Sequence, residues 1–256
     1  DAKVAIAANG NFVVVWEDDS DGNGKFQIKM KGYTATGGYL FGQTTVNTVS
    51  PGQQLNPAIA MAANGDFVVV FEDDQDKNGK YDIIARDFHS NGEPRFEDQR
   101  TVNSITSGQQ LKPDIAMDPS GNHVITWQDD SNKNGKYNIK ARAFDANAVA
   151  HYKKEQTINT DTSGQQLRPY VAMADDGRFV IVWEDDRDKN GKYHEIEANS
   201  GSSKLVSVSN GISAAIINPS NNISKILVMA DIAWKPNDNE MENIKFDDYN
   251  LNKWKK

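Results

Sequence analysis

Four stretches of this chain place oxygen-bearing side chains at alternate positions ahead of a glycine. WEDDSDGNGKF occupies 16–26, and FEDDQDKNGKY, WQDDSNKNGKY and WEDDRDKNGKY follow at 71–81, 127–137 and 183–193. Counted from the second Asp of each, loop positions 1, 3 and 5 hold Asp19, Asp21 and Asn23, then Asp74, Asp76 and Asn78, then Asp130, Asn132 and Asn134, then Asp186, Asp188 and Asn190. Alternate residues of a tight loop converge on one point, and a hard cation takes about six to eight oxygens at short range. The glycines at position 6, Gly24, Gly79, Gly135 and Gly191, permit the sharp turn. The carbonyl at position 7 (Lys25, Lys80, Lys136 and Lys192) adds a ligand, and position 9 offers an oxygen in Gln27, Asp82 and Asn138 but in the fourth loop is His194, whose ring nitrogen is a poor calcium ligand. This donor set predicts calcium, at one site per loop.

The plain alternative is a set of hairpins, because Asn-Gly is a favoured two-residue turn. A turn alone, however, does not need two or three carboxylates that repel one another. The first half of each loop has EF-hand spacing, yet position twelve holds Met30, Ala85, Ala141 and Glu197, and no helical pattern flanks the loops. Charge ranks the sites. Loop two has three carboxylates, Asp74, Asp76 and Asp82, whereas loop three has only Asp130 at the pattern positions, with Asp129 beside it. Loop two is expected to bind calcium most tightly and loop three most weakly.

The elements that position these loops recur with them. Trp16, Phe71, Trp127 and Trp183 stand 55, 56 and 56 residues apart, so one unit has been copied. Each copy begins with a short apolar run such as Val4 to Ala7 or Ile59 to Met61. A turn follows at Asn9-Gly10, Asn64-Gly65, Ser120-Gly121 or Asp176-Gly177. Next comes a β-prone run that is apolar on both faces, as in Phe12 to Trp16, which predicts a strand covered on both sides. After the loop, Lys25 to Tyr33 and its counterparts alternate like a half-buried strand, and a fourth strand ends at Val46-Asn47, Val102-Asn103 and Ile158-Asn159. Segments 52–57, 108–113 and 164–169, each Gly-Gln-Gln-Leu-x-Pro, read as connectors whose glutamines bind backbone groups. Four short strands per unit and no helical period predict an all-β, propeller-like repeat of four-stranded blades.

Residues 1–209 contain the four loop-bearing repeats, and 210–256 read as a diverged fifth blade without the acidic pattern. The chain opens on a first strand and its last unit lacks a fourth. The expectations are irregular ring closure, further blades in a longer parent, or a strand shared with a neighbouring chain.

D-x-D-x-N-G-x-x-D in a β-hairpin resembles the calcium loops of integrin α-chain propellers and bacterial FG-GAP repeats. Asp74, Asp76, Asn78, Lys80 and Asp82 match in full, and the other loops depart at position 9. The whole unit, over roughly 1–200, is similar to the FVVVW…I.AR.F…VN repeats of large bacterial surface and secreted proteins. That resemblance implies an extracellular, calcium-rich protein of binding or adhesion.

The remaining chemistry is sparse. His89, His123, His151 and His194 fall at different places in the unit, and His123 replaces a Phe, which makes it a strand residue before a base. Glu17, Glu72 and Glu184 recur with Gln128, but a catalytic pair is expected to be unique while repeats are equivalent. No nucleophile elbow, P-loop or zinc spacing occurs. The net charge of -8 disfavours nucleic acid. There is no apolar run long enough to span a membrane, and the start at Asp1 is expected to be a mature or trimmed end. Cysteine is absent, which fits the cytosol and equally fits secreted repeat proteins that use metal in place of disulfides, so it does not decide the compartment. These readings predict a calcium-stabilised extracellular binding or adhesion scaffold without catalysis, its partner a protein or polysaccharide at the cell surface. The alternatives are a carbohydrate-binding lectin or a polysaccharide-active enzyme on the same propeller, and a structural subunit of a surface layer or filament. One cleft with unmatched acidic or histidine residues would mark the enzyme.

Overall fold

The computed structural model describes residues 1–160, 162 and 164–185. Loop four from Asp186 onward, with Asp188, Asn190, Lys192 and His194, and the expected fifth blade at 210–256 lie outside the described residues.

Strands are the only regular elements described. The first blade contains β1 (Ala2–Ile6), β2 (Phe12–Asp18), β3 (Gln27–Tyr33) and β4 (Tyr39–Thr45). The second contains β5 (Gln54–Met61), β6 (Phe67–Asp73), β7 (Asp82–Phe88) and β8 (Arg100–Thr101). The third contains β9 (Gln110–Met117), β10 (His123–Asp129), β11 (Asn138–Phe144) and β12 (Gln156–Thr157). The fourth begins with β13 (Gln166–Met173) and β14 (Phe179–Asp185). Within each sheet the strands pair antiparallel in chain order. The first strands β1, β5, β9 and β13 lie next to one another without pairing, so they gather toward a common line, while the fourth strands lie at the rim. This is the all-β propeller arrangement. No helix among the described residues is long and apolar enough to cross a membrane.

The turns follow from their residues. In the first hairpin Gly10 takes a φ of +84° and its amide reaches the carbonyl of Ala7 at 2.9 Å, while Ala7 N–H bonds Asn11 O at 2.8 Å. A type I turn closed by a left-handed residue needs glycine there, and Gly65, Gly121 and Gly177 serve likewise.

The second strands are the heart of the fold, and the two inner ones, β6 and β10, are covered on both faces, whereas β2 and β14 are buried on alternate residues. All residues of β6 and of β10 are buried. One face of a blade, here called leading, packs on the trailing face of the blade before it. At the first junction Phe67, Val69 and Phe71 meet Val13, Val15 and Met30. At the second, Ile125 and Trp127 meet Val68 and Val70, and at the third Ile181 and Trp183 meet Val124 and Ile139. Each fully buried large side chain contributes about 1.5–3 kcal/mol relative to exposure.

The connectors enter the first strands. Gln54 pairs with Asp73 and Leu55 with Glu72, and a bulge follows before Ala58 pairs with Val70. The same irregularity recurs in β9 and β13. Each bulge contains an X-Pro pair, and proline is tolerated there because an edge strand does not need its missing N–H.

Candidate functional site

The acidic loops are not two-residue hairpins. Asp18 is the last residue of β2 to pair, with Gln27, so residues 19–26 form a loop in which Asn23-Gly24 is only one corner. The same register recurs as Asp73 with Asp82 and Asp129 with Asn138. In loop two the side chains at positions 1, 3 and 5 all turn over the loop's own amides. Asp74 Oδ1 accepts from Gly79 N–H at 3.1 Å, Asp76 Oδ1 from Asn78 N–H at 3.2 Å, and Asn78 Oδ1 from Lys80 N–H at 2.7 Å. Asp19 and Asn23 repeat this on Gly24 and Lys25, with Asp21 on Asn23. Asp130 and Asn134 repeat it on Gly135 and Lys136, with Asn132 on Asn134. Carboxylate and amide oxygens thus face inward with a spare lone pair each, an arrangement that fits a hard cation.

Position 9 is placed differently. Gln27 Oε1, Asp82 Oδ1 and Asn138 Oδ1 accept from the side-chain amides of Asn47, Asn103 and Asn159 at 2.6, 2.7 and 2.9 Å. Those asparagines in turn accept the amides of Ile28, Ile83 and Ile139 and so continue the sheet past its fourth strand. Asp82 is nevertheless close enough to Asp76 to feel its charge. Burial raises the Asp82 carboxyl, and Asp76 adds to the rise. Among the described residues no three His, Cys, Asp or Glu side chains form a ready-made metal cluster. Any cation would depend on the Asn side chains and backbone carbonyls as well. Asp129 does not turn into loop three. It is 2% exposed and accepts from Ser131 and Gln110 instead.

The connectors hold these loops from the next blade. Gln53 accepts from Phe26 N–H at 2.9 Å and donates to Gly24 O at 2.8 Å. Gln109 does the same to Tyr81 and Gly79, and Gln165 to Tyr137 and Gly135. The second glutamine points inward: Gln54 donates to Asp73 Oδ1 at 2.8 Å. Burial pushes Asp73 up to about 6 despite this bond and one from Gln99.

A second set of residues lies where the first strands gather. Asn56, Lys112 and Arg168 precede the bulge prolines with φ of 50°, 54° and 47°. The left-handed region strains residues with a side chain by roughly 1–3 kcal/mol. Each amide is clasped from the preceding blade. Glu17 Oε1 accepts from Asn56 at 2.6 Å, Glu72 Oε1 from Lys112 at 2.7 Å, and Gln128 Oε1 from Arg168 at 3.0 Å. Lys112 Nζ reaches Asn56 Oδ1 at 2.8 Å, and Arg168 pairs with Glu184 at 2.9 Å. The recurrent Glu/Gln position therefore links blades. Glu72 is 2% exposed, and burial holds its carboxyl above the ordinary value against the opposing pull of Lys112 and Asn56.

Beside these clasps the repeat breaks. The position two residues after the strained one is Ala58 in β5, Asp114 in β9 and Tyr170 in β13, and Lys3 corresponds to it in β1. Asp114 Oδ2 accepts from Val171 N–H of the next blade at 2.8 Å. Burial raises its carboxyl, while the amides of Val171 and Ile115 and the charge of Lys3 pull it down. Tyr170 is 46% exposed. Sequence reasoning missed this group. Its signal was a residue that changes type inside an otherwise repeating frame.

His123 is a strand residue. It is 2% exposed and stacks on Phe144 with centroids 5.2 Å apart.

No family model and no curated protein matches the chain. Solved structures do. An endo-arabinase from Bacteroides thetaiotaomicron aligns over 71% of this chain and 68% of its own, at 16% identity and a TM-score of 0.42. An α-L-arabinanase of Penicillium chrysogenum aligns over 69% and 55%, at 10% identity and 0.46. A GH93 α-L-arabinofuranosidase of Fusarium graminearum aligns over 71% and 57%, at 11% identity and 0.48. The chain thus spans little more than half the length of the latter two. The likeness concerns the fold, and each neighbour is named as an enzyme of arabinose-containing sugar. The expectation of a binding or adhesion scaffold without catalysis is corrected accordingly. Its premise was that every blade is equivalent, and Asp114 shows that the first strands are not.

Proposed function

We propose that the chain is a polysaccharide-active propeller protein working where its first strands gather, with calcium in the acidic loops as braces. The observation that carries this reading is Asp114, an unmatched and partly buried carboxyl with a raised pKa beside Lys3. A carboxyl kept protonated above its ordinary range can deliver a proton to a glycosidic oxygen. Tyr170 offers an exposed ring at the same repeat position, suited to stack on a sugar face. Glu17, Glu72 and Gln128 hold the strained residues around the group, so they position it. The loop pattern resembling FG-GAP repeats supports calcium and an extracellular or cell-surface setting, with polysaccharide as the partner there.

The test is release of reducing ends from a panel of polysaccharides, arabinan and xylan included, by the full chain in calcium. Wild-type release should fall by two or more orders of magnitude in Asp114→Asn, with the melting temperature changed little. Absence of both release and binding across the panel overturns the reading. Binding without release reduces it to a lectin.

A further inference from the structure

Two residues that break the repeat meet between blades two and three. Asn56 in β5 and Lys112 in β9 hold the same place in successive blades, each just ahead of its bulge proline. Lys112 Nζ lies 2.8 Å from Asn56 Oδ1, so an amine stands beside a carboxamide whose carbonyl carbon is one bond further on. Both backbones are fixed, because Glu17 holds the Asn56 N–H at 2.6 Å and Glu72 the Lys112 N–H at 2.7 Å. Glu72 completes the group: its buried carboxyl interacts with the Asn56 side chain as well as with Lys112. The combination occurs once among the described blades. Blade four has Arg168 in the place of Lys112, and a guanidinium stays charged and is no nucleophile. Blade three has Gln128 in the place of Glu72.

We propose that Lys112 and Asn56 join in an amide bond, a covalent staple between the first strands of blades two and three, with Glu72 as the proton relay. The neutral Nζ adds to Cγ of Asn56. The Nζ–Cγ bond forms, the Cγ–Nδ2 bond breaks, and ammonia leaves. Nζ loses one proton and Nδ2 gains one, so the step balances without oxidant, cofactor or water. A carboxyl that reaches both side chains can take the first proton and supply the second. Holding amine and carboxamide in contact turns a bimolecular encounter into a unimolecular step. The product closes residues 56–112 into a loop, as a disulfide would, in a sequence without cysteine.

The experiment is intact-mass spectrometry of the full chain, denatured after prolonged incubation in the folded state, followed by peptide mapping. The wild type should be lighter than its sequence by one molecule of ammonia, and the map should contain a branched peptide that joins Asn56 to Lys112. A succinimide at an Asn-Gly pair loses the same mass, so the branched peptide decides between them. Lys112→Arg copies Arg168, so it should keep the circular dichroism spectrum and restore the full mass. Glu72→Gln copies the clasp of Gln128 and should restore the full mass as well. A wild-type chain of full mass overturns the proposal. Ammonia loss without the branched peptide, or ammonia loss that persists in Lys112→Arg, overturns it too. A branched peptide that forms equally in Glu72→Gln overturns the relay. Sugar release plays no part in this readout, so the two proposals fail separately.

Discussion

His123 shows how much a single residue inside a repeat can change. The other copies place Phe12, Phe67 and Phe179 at its position. Arginine has no acceptor, so His123 Nε2 must accept from Arg100 Nη2 at 2.9 Å, and Nδ1–H donates to Gly121 O at 3.0 Å. The ring is therefore neutral and of one tautomer. Burial pushes its pKa down to about 4, and the Arg100 charge pushes the same way. A depressed histidine binds fewer protons folded than unfolded. Its contribution is complete above the unfolded value near 6.5 and is lost as pH falls toward 4. Between pH 7 and 5 the linkage amounts to about 2 kcal/mol. His123→Phe should remove that loss. It should also lower stability at pH 7 by about 1–3 kcal/mol, because Arg100 and Gly121 each lose a buried partner. Urea unfolding at both pH values checks this, and an identical pH slope in the two proteins would refute it. The Phe-to-His change was legible in the sequence. The Arg100 contact was not, because it crosses from the rim of the blade before.

At the scale of elements, the loops and connectors were the most legible parts, because their chemistry is local and repeats. The strand order, the glycine turns and the backbone-binding glutamines all follow from patterns within one unit. The clasps did not, since Glu72 meets Lys112 forty residues away and periodicity cannot say what two blades exchange. Position 9 was legible as an oxygen donor, but not the asparagine that engages it. Two predictions belong here. Loop two, with Asp74, Asp76 and Asp82, should bind calcium more tightly than loop three. Asp129 does not correct that order, since its carboxylate is held by Ser131 and Gln110. Calorimetry of Asp74→Ala and Asp130→Ala should show the larger loss of affinity for Asp74→Ala, and the reverse order would refute the charge argument. Gln109→Ala removes an acceptor from Tyr81 N–H and a donor to Gly79 O. It should lower stability by about 1–2 kcal/mol and weaken calcium at loop two, with loop one unaffected. Equal weakening at both loops would show that the glutamines do not act locally.

At the scale of the whole molecule, the strands described make most of their contacts within a blade or with the neighbouring blade, so their stability is close to a sum of blades and junctions. The described junctions are apolar sheets with the acidic loops at the ends of their hairpins. Without a cation loop two brings carboxylates together, Asp76 beside Asp82, and that repulsion works against the hairpin that closes the blade. A bound ion reverses the sign of the contribution. One site at about a hundred times its dissociation constant adds about 2.7 kcal/mol. For a chain of this size each kcal/mol moves the melting temperature by about 2–4 °C. Coupling between blades spreads the effect, so saturating calcium should raise melting by ten degrees or more over excess chelator, as a single transition. Magnesium should give a small part of this, since it prefers a tighter octahedral shell and sheds water reluctantly. Differential scanning calorimetry in chelator, magnesium and calcium measures all three. A melting temperature that is the same in chelator and in calcium would mean that the loops close on their own hydrogen bonds, with Asp74 and Gly79 already sufficient to each other.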